Sequence, residues 1–233
     1  MAEGKTDLSS NEENLQYIFQ ERKKMNTIFN TEQENFWAGE FGNEYITRNN
    51  SNEILTAKIN FFNHVFKKTN SIKTILEYGA NIGLNLISIK KIIPNVELSC
   101  IEINQKAVNE LKKIEDLKIY HDSILNYSVD YKRNLVFTCG VLIHIDPVFL
   151  PKVYELMYNS SNRYILLSEY YNPTPVEVSY RGHKNKLFKR DFAGEMLDKF
   201  QDLTLIDYGF KYHRDNNNPM DDVNWFLLEK NKI

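Results

Sequence analysis

The sequence predicts an α/β fold in which a mostly parallel sheet is covered by helices on both faces. Short apolar runs alternate with segments of helical period between residues 72 and 169, which is typical of strands joined by crossover helices. The first run ends at Glu77, and a turn with two glycines four residues apart, Gly79 and Gly83, follows it. The next run ends at Glu102, where a βαβ nucleoside site carries its ribose-binding acid. The two acids and the turn therefore indicate a nucleoside site at one edge of the sheet.

Residues before the alternating region differ in character from it. Residues 1–24 are mostly polar and predict a flexible N-terminal extension, and the sequence leaves open whether Met25 is the native start. Residues 31–66 combine an aromatic, glycine-bearing stretch with a helical pattern for which Ser51 is a suitable N-cap. We predict one domain at residues 25–233, with residues 31–66 as a lid. Its aromatic residues could cover a ligand or pack into the core; these are Trp37, Phe41 and Tyr45.

Five apolar runs predict the parallel strands, at residues 72–77, 96–103, 117–120, 135–139 and 164–169. Three segments of helical period connect or flank them. One starts at Gly83 and stops before Pro94, one has Asn104 as its N-cap, and one covers residues 147–159 with Pro147 in its first turn. A further helix starts after Asp191. Residues 203–208 and 224–229 predict two strands without a helix between them, so we expect these to pair antiparallel.

Residues 170–190 interrupt the alternation with two prolines, several polar rings and a group of cations. The segment is too long for a plain connector and predicts a substrate-facing insertion. Its candidate substrate-binding residues are Tyr170, Tyr171, Tyr180, Arg181 and His183. Its cations could pair with an anionic substrate or form a solvated basic loop, and both possibilities stay open for Arg181, Lys184, Lys186, Lys189 and Arg190.

Length and charge limit the possible functions. The 233 residues suit one α/β domain, and 29 Lys plus Arg against 31 Asp plus Glu provide no basic field for nucleic acid. Cys100 and Cys139 fall in predicted core strands, which fits reduced thiols, and the five histidines lack zinc-site spacing. No apolar run approaches the length of about 18 residues that a membrane helix needs. We expect a cytoplasmic protein with no membrane partner and no metal.

The turn after the first strand favours a cationic nucleoside over a dinucleotide. A dinucleotide fold has a central glycine that lets the backbone approach the pyrophosphate, but here Ala80, Asn81 and Ile82 separate Gly79 from Gly83. A carboxylate at Glu77 would also repel phosphates. S-adenosylmethionine (SAM) carries a sulfonium and an ammonium and has no phosphate, and Glu102 can accept hydrogen bonds from its ribose. The alternative is that the glycines are ordinary turn residues and Glu102 a solvated acid.

The order of these motifs resembles that of class I SAM-dependent methyltransferases from about residue 31 to residue 229. The matching motifs are the Glu77-x-Gly79-x-x-x-Gly83 turn, Glu102, the Asp122-Ser123 pair and the run from Cys139 to Ile145. More narrowly, three motifs together resemble the methylases associated with pseudaminic acid biosynthesis. They are Phe36-Trp37-x-Gly39-x-Phe41-Gly42-x-x-Tyr45-x-x-Arg48-Asn49, Gly79-Ala80-Asn81-Ile82-Gly83-Leu84-Asn85 and Gly140-Val141-Leu142-Ile143-His144-Ile145. The resemblance implies a Rossmann-like sheet of seven strands in the order 3-2-1-4-5-7-6, mostly parallel, with an antiparallel last strand.

The resemblance also implies roles for individual residues. Glu77, Tyr78 and the backbone of Gly79, Ala80, Asn81 and Gly83 would flank the methionine part of SAM, and Glu102 would bind the ribose. Ile103 would lie on the adenine, Asp122 would accept from its exocyclic amine, and the Ser123 amide would donate to a ring nitrogen; a turn cap is the alternative for Asp122. Residues near the methyl would be Cys139, Gly140, Val141 and His144. Arg48 is a candidate to bind the SAM carboxylate, with a plain surface arginine as the alternative. Trp37 and Tyr45 complete the set of candidate cofactor-binding residues.

The expected reaction is metal-independent methyl transfer to a hydroxyl, with an amine as the second choice. The acceptor would be a small sugar-like or nucleotide-linked metabolite of surface glycan biosynthesis, as the resemblance implies. His144 is the candidate base, because it follows strand four at the ligand-binding edge, and Glu169 is among the reserves. Two alternatives remain: an NAD-dependent sugar oxidoreductase, and a SAM-binding module without catalysis. The sequence does not indicate the oligomeric state.

Overall fold

The computed structural model describes Phe29 and residues 31–46 and 52–231. The predicted extension at residues 1–24, the possible start at Met25, Arg48 and the cap at Ser51 lie outside these residues. Nine strands occur in the described part, in chain order β1 Thr74–Tyr78, β2 Glu97–Glu102, β3 Leu117–His121, β4 Arg133–Cys139, β5 Ser161–Glu169, β6 Val176–Glu177, β7 Phe188–Lys189, β8 Leu203–Phe210 and β9 Asn224–Lys230.

Seven α-helices accompany the strands within the same residues. They are α1 Glu32–Ala38, α2 Glu40–Tyr45, α3 Asn52–Phe66, α4 Leu84–Ile92, α5 Gln105–Leu111, α6 Leu150–Ser160 and α7 Phe192–Lys199. The predicted caps are present where the described residues include them, because Asn104 accepts from the amide of Ala107 and Asp191 accepts from that of Gly194. None of the described helices is long and apolar enough to span a bilayer.

The predicted fold class is confirmed. Seven strands form one sheet in the order β3-β2-β1-β4-β5-β9-β8, and all neighbours are parallel except that β9 runs antiparallel to both β5 and β8. The order equals the expected 3-2-1-4-5-7-6 once the two short strands β6 and β7, which the sequence did not predict, are left out. These two pair with each other as a small hairpin inside the insertion at residues 170–190.

The core forms on both faces of the sheet because successive side chains of a strand point to opposite sides. In β1, Leu76 packs in the cluster that includes α6 and α7, whereas Ile75 packs in the cluster that includes α3 and α4. Both side chains are fully buried, as expected for a central parallel strand.

One helix differs in detail from its prediction. The segment expected as a helix at residues 147–159 begins with a 3₁₀ turn at Pro147–Phe149, capped by Asp146, before α6 starts at Leu150. Pro151 in the first turn of α6 has no amide hydrogen to donate, which suits the start of a helix and explains why the α-helical ladder begins there.

Candidate functional site

A cavity of about 440 Å³ lies at the carboxyl ends of the parallel strands, which is within the usual range for small-molecule sites. Its floor consists of the turns that follow β1, β2, β3 and β4, at residues 79–82, 102–104, 122–125 and 139–146. Side chains from α1, α2 and α3 cover it, together with residues of the loop between β8 and β9. Open α/β sheets bind ligands at this edge.

The conformation of the turn after β1 requires glycine at position 79. Gly79 has a φ of 72°, and its amide donates to the carbonyl of Ile101 at 2.9 Å. A Cβ at Gly79 would stand 2.7 Å from a methyl carbon of Val141, so the turn after β4 packs directly against the glycine. Ala80 and Asn81 line the cavity, while Gly83 faces away from it, towards Leu111 and Ile114.

Glu102 joins two of the turns. Its Oε2 accepts from the amide of Asn81 at 2.7 Å, and its Oε1 accepts from the amide of Asn104 at 2.8 Å. The side chain is almost fully buried yet lines the cavity, and burial raises the pKa of its carboxyl. A carboxylate has about four lone-pair sites, so Glu102 keeps acceptor capacity for a ligand.

Glu77 lies below the cavity at the start of a polar chain. Its Oε1 accepts from Asn85 Nδ2 at 2.6 Å, and Asn85 Oδ1 accepts from Lys58 Nζ at 2.6 Å. Glu77 Oε2 is buried and has no hydrogen-bond partner among the described residues. Asn85 and Lys58 line the cavity, so a chain of hydrogen bonds links Glu77 to the ligand site.

Glu169 holds the turn after β4. Its carboxylate accepts from the amide of Val141 at 3.0 Å and from that of Ile143 at 3.4 Å. The side chain is buried and does not line the cavity. Glu169, a reserve candidate for the base, therefore shapes the turn that carries His144.

Three buried carboxyls, those of Glu77, Glu102 and Glu169, have raised pKa values and predict an unusual pH dependence of stability. Burial raises the pKa of Glu77 to about 8 and that of Glu169 to about 7. The folded chain then holds protons that the unfolded chain has already released, so stability falls with rising pH. We expect the free energy of unfolding of ligand-free protein to fall between about pH 5 and pH 8, by up to about 1.4 kcal/mol per pH unit for each carboxyl that is protonated only when folded.

Urea titrations at pH 5, 6, 7 and 8 measure this slope. The free energy of unfolding of the isosteric variant Glu77→Gln should fall less steeply with pH than that of the native chain, above all between pH 7 and 8, because Glu77 has a higher pKa than Glu169 in the folded state. A native chain that gains stability across this range would contradict the assignment.

His144 has a defined tautomer. Its Nδ1 lies 2.6 Å from the carbonyl oxygen of Lys186, which can only accept, so Nδ1 carries the proton and Nε2 is the free acceptor. The ring lines the cavity and is 8% exposed, and burial lowers the pKa of His144 to about 4. Rings of Trp37 and Tyr180 lie against it, with centroids at 4.6 and 4.9 Å.

Helix α1 closes the cavity over the turn after β3. Glu34 accepts from the amide of Thr31 at 2.7 Å and contacts the hydroxyl of Ser123, 89 residues away in sequence. Asn104 donates to the carbonyl of Trp37 at 3.1 Å. Trp37 and Tyr45 line the cavity, whereas Phe41 stacks on Phe36 at 4.0 Å.

Not every predicted site residue reaches the cavity. Of the predicted set, the lining includes Trp37, Tyr45, Gly79, Ala80, Asn81, Glu102, Ile103, Asp122, Ser123, Cys139, Gly140, Val141, His144, Tyr170 and Tyr180. Residues outside the lining are Glu77, Tyr78, Gly83, Tyr171, Arg181 and His183. Tyr78 is buried in the core on the face of the sheet that α6 and α7 cover, with its hydroxyl 2.9 Å from that of Ser160.

The Asp122-Ser123 pair has the geometry of a turn. Asp122 Oδ1 accepts from the amide of Ser123 at 2.7 Å and from Asn126 Nδ2 at 3.2 Å. The Ser123 amide, predicted to donate to a ring nitrogen of the ligand, is thus engaged within the protein. Among the described residues, none forms a hydrogen bond with Asp122 Oδ2, which can therefore accept one from a ligand.

Sequence reasoning missed several residues that line the cavity, namely Thr31, Gln33, Glu34, Lys58, Asn85, Asp146, His213, Met220 and Asp221. For Asn85 a signal existed, because it follows the Gly83 turn by two residues at the start of α4. The others approach from elements distant in sequence, for which the chain gives no local signal. No three side chains of His, Cys, Asp or Glu in the described ranges come together as a metal-ligand set.

Several solved structures have a similar fold, among them methyltransferases. The N-methyltransferase NodS from Bradyrhizobium japonicum WM9 is 12% identical, with a TM-score of 0.59 over 78% of this chain and 99% of that one. The plantazolicin methyltransferase BpumL, in complex with a monoazolic desmethylPZN analog and S-adenosylhomocysteine (SAH), is 14% identical, with a TM-score of 0.58 over 96% and 100%. The N-terminal domain of EvdMO1 with SAH bound is 12% identical, with a TM-score of 0.55 over 76% and 81%.

At these identities the likeness establishes a shared fold, that of class I SAM-dependent methyltransferases. No protein-family model and no curated protein sequence matches the chain.

Proposed function

We propose that the chain is a SAM-dependent methyltransferase that needs no metal and acts on a small polar acceptor. The observation that carries this proposal is the charge of the cavity. Among the described residues that line it, Lys58 is the one Lys or Arg, against five carboxylates, Glu34, Glu102, Asp122, Asp146 and Asp221. SAM has a net positive charge, whereas a nicotinamide dinucleotide brings two phosphates into the same acidic space.

In the proposed complex the ribose lies at Glu102. The carboxylate is fixed by two backbone amides and retains lone pairs for the two ribose hydroxyls. Ile103 covers one face of the adenine, and Asp122 accepts from the exocyclic amine through its available oxygen. These assignments follow the order of the turns after β2 and β3.

The methionine part lies at the turn after β1. Lys58 binds the carboxylate, and the ammonium favours the ionised form of Glu77, which Asn85 links to the cavity by a hydrogen bond. Lys58 takes the role that the sequence predicted for Arg48, which lies outside the described residues and stays a candidate. The turn after β4, with Gly140 and His144, stands next to the position of the methyl group.

Replacing Lys58 by methionine tests this placement. We expect Lys58→Met to weaken SAH binding about 5- to 50-fold, because a charge-assisted hydrogen bond is lost. Decarboxylated SAH, which lacks the carboxylate, should bind the variant and the native chain about equally. Isothermal titration calorimetry of both ligands measures the two affinities, and Lys67→Met, which changes an exposed lysine just after α3, is the matched control. An equal loss for both ligands would show that Lys58 does not bind the carboxylate.

When bound, SAM supplies an electrophilic methyl group, and the chain's own part in transfer is alignment in a space shielded from water. The lid residues Trp37 and Tyr45 exclude solvent from above. His144, as a neutral ring with a free Nε2, can accept a hydrogen bond from the nucleophile. No residue of the chain needs to form a covalent bond.

The acceptor class rests on weaker support than the cofactor. The sequence favours a hydroxyl of a sugar-like or nucleotide-linked metabolite, and one similar structure, that of the EvdMO1 domain, was obtained in the presence of SAH and D-fucose. The glycan pathway and the likeness to pseudaminic acid methylases stay predictions.

Two other functions have less support. An NAD-dependent oxidoreductase would need a phosphate-binding turn, and the acidic lining opposes one. A SAM-binding module without catalysis would have no use for the free acceptor nitrogen of His144 beside the proposed methyl position, so we favour the enzyme.

Thermal unfolding with added ligand tests the proposal. At 100 times its dissociation constant, SAH should stabilise the chain by about 2.7 kcal/mol, which corresponds to about 5 to 11 °C for a protein of this size. NAD should leave the melting temperature unchanged, and EDTA should not reduce the effect of SAH. Stabilisation by NAD alone would favour the oxidoreductase.

A further inference from the structure

We infer that the methyl acceptor is an amine that enters the cavity as an ammonium ion and also carries oxygen functions, as an amino sugar does. This inference rests on the proposed function and names the substrate class of the same site. It replaces the hydroxyl favoured by the sequence.

The acceptor would occupy a ring-lined chamber, which we define by Trp37, Tyr45, His144, Tyr170, Tyr180 and Asp221, all of which line the cavity. Trp37 is the central ring, with its centroid 5.3 Å from that of Tyr45, 4.6 Å from His144 and 6.4 Å from Tyr180. Tyr170 also lies close to these residues. Burial raises its pKa, and the neighbouring Asp221, Tyr45 and Tyr180 raise it further. The chamber lies beside the turn after β4, next to the proposed methyl position.

Rings and a carboxylate are the surroundings that an ammonium ion prefers. The faces of tryptophan and tyrosine attract cations, and the attraction strengthens where water is excluded. Asp221 adds a negative charge on one side of the chamber, and Asp146 adds another on the cavity wall two residues after His144. These charges would repel a carboxylate or phosphate acceptor, and Lys58, the one Lys or Arg among the described lining residues, is assigned to the carboxylate of SAM in the proposed complex.

The cations of the insertion that could have bound an anionic acceptor pair with carboxylates, lie over aromatic rings or are exposed. Lys186 pairs with Glu32 and lies over the Phe36 ring, and Arg190 pairs with Glu195 at 2.6 Å. Lys184 is exposed, whereas Arg181 lies 5.8 Å from the ring centroid of Tyr180 and Lys189 lies 5.2 Å from that of Tyr170. Among the described residues that line the cavity, none is one of these five cations.

Two buried polar atoms without partners indicate that the ligand also carries polar groups. Gln33 is 6% exposed, and its buried Oε1 has no hydrogen-bond partner among the described residues. The buried indole nitrogen of Trp37 has none among them either. Both residues line the cavity. The indole can only donate, so a hydroxyl or carbonyl oxygen of the ligand would satisfy it.

The chemistry of an amine also fits His144. A hydroxyl acceptor needs a base to take its proton as the new bond forms, and burial has made His144 a weak base, with its pKa lowered to about 4. An ammonium instead releases one proton to solvent before transfer. The nitrogen lone pair then attacks the methyl carbon, the C–N bond forms as the C–S bond breaks, and the products are SAH and a methylated ammonium. His144 Nε2 accepts from an N–H of the amine and so orients the lone pair.

Matched pairs of small probes test the inference on protein saturated with SAH. The probes are benzylamine against benzyl alcohol and benzoate, and glucosamine against glucose, titrated by calorimetry at pH 7.5. At least one amine should bind about tenfold or more tightly than its alcohol partner, and benzoate should not bind. Asp221→Asn should remove most of this preference, and Asp221→Glu should restore it. The control is Asp198→Asn, which removes an exposed carboxylate on α7 outside the cavity.

The outcomes separate the two levels of the proposal. If the native chain does not bind SAH, the proposed function fails. If SAH binds but no amine exceeds its alcohol partner, or if Asp221→Asn keeps the full preference, the amine inference is overturned while the proposed cofactor stands.

Discussion

Replacing Glu102 by alanine should lower the affinity for SAH by about 1 to 3 kcal/mol, or about 5- to 150-fold. The variant loses the acceptor for the ribose hydroxyls. It also leaves the amides of Asn81 and Asn104, which border the ribose site, without the carboxylate that they share. The turns after β1 and β2 would therefore lose their common anchor.

A comparison of ligands separates these two effects. Native protein should bind SAH more tightly than its 2′,3′-dideoxy analogue, and Glu102→Ala should bind the two about equally. Glu97→Ala, which removes the same side chain from the opposite end of β2, is the matched control. If Glu102→Ala still prefers SAH to the dideoxy analogue as strongly as the native chain does, the ribose contact is misassigned.

The affinity for SAH should rise steeply with pH between about 6 and 8. Burial raises the pKa of Glu77 to about 8 in the ligand-free chain, so most of this carboxyl is protonated at pH 6. The ligand's ammonium favours the charged form, and binding near neutral pH therefore releases a proton. The dissociation constant should fall by up to about tenfold per pH unit until Glu77 is ionised, a total of about 100-fold.

Calorimetry in buffers of different ionisation enthalpy measures the proton release directly. The neutral variant Glu77→Gln keeps the length of the side chain and an acceptor for Asn85, so it should bind SAH with an affinity that hardly changes from pH 6 to pH 8. If the native chain releases no proton on binding, or if the variant keeps the full pH dependence, Glu77 does not interact with the ammonium of the ligand.

The sheet and the floor of the cavity could be predicted because their signals are local. Apolar runs, caps and the glycines at 79 and 83 each depend on the local backbone conformation, so the sequence around them predicts it. The parallel topology then brings the ends of β1, β2 and β4 together. The two short strands of the insertion were missed because β6 and β7 contain two residues each, too few for any period to show.

The contacts that hold the cover of the cavity in place, and the net charge of the cavity lining, could not be predicted. Glu34 meets Ser123 across 89 residues, and Lys58 meets Asn85 across 27, by packing between elements that the sequence does not orient. For the same reason the sequence could list the cations of the insertion but could not show that Lys186 and Arg190 are paired outside the cavity. The negative charge of the proposed acceptor site can therefore be inferred only from the folded structure.

Calorimetric titration of the purified chain with SAH, repeated in the presence of millimolar NAD, tests the central claim most directly. We expect saturable binding of one SAH per chain, unaffected by NAD, because an acidic cavity at the carboxyl ends of β1 and β2 suits a nucleoside without phosphate. Saturable binding of NAD in a chain that does not bind SAH would contradict it.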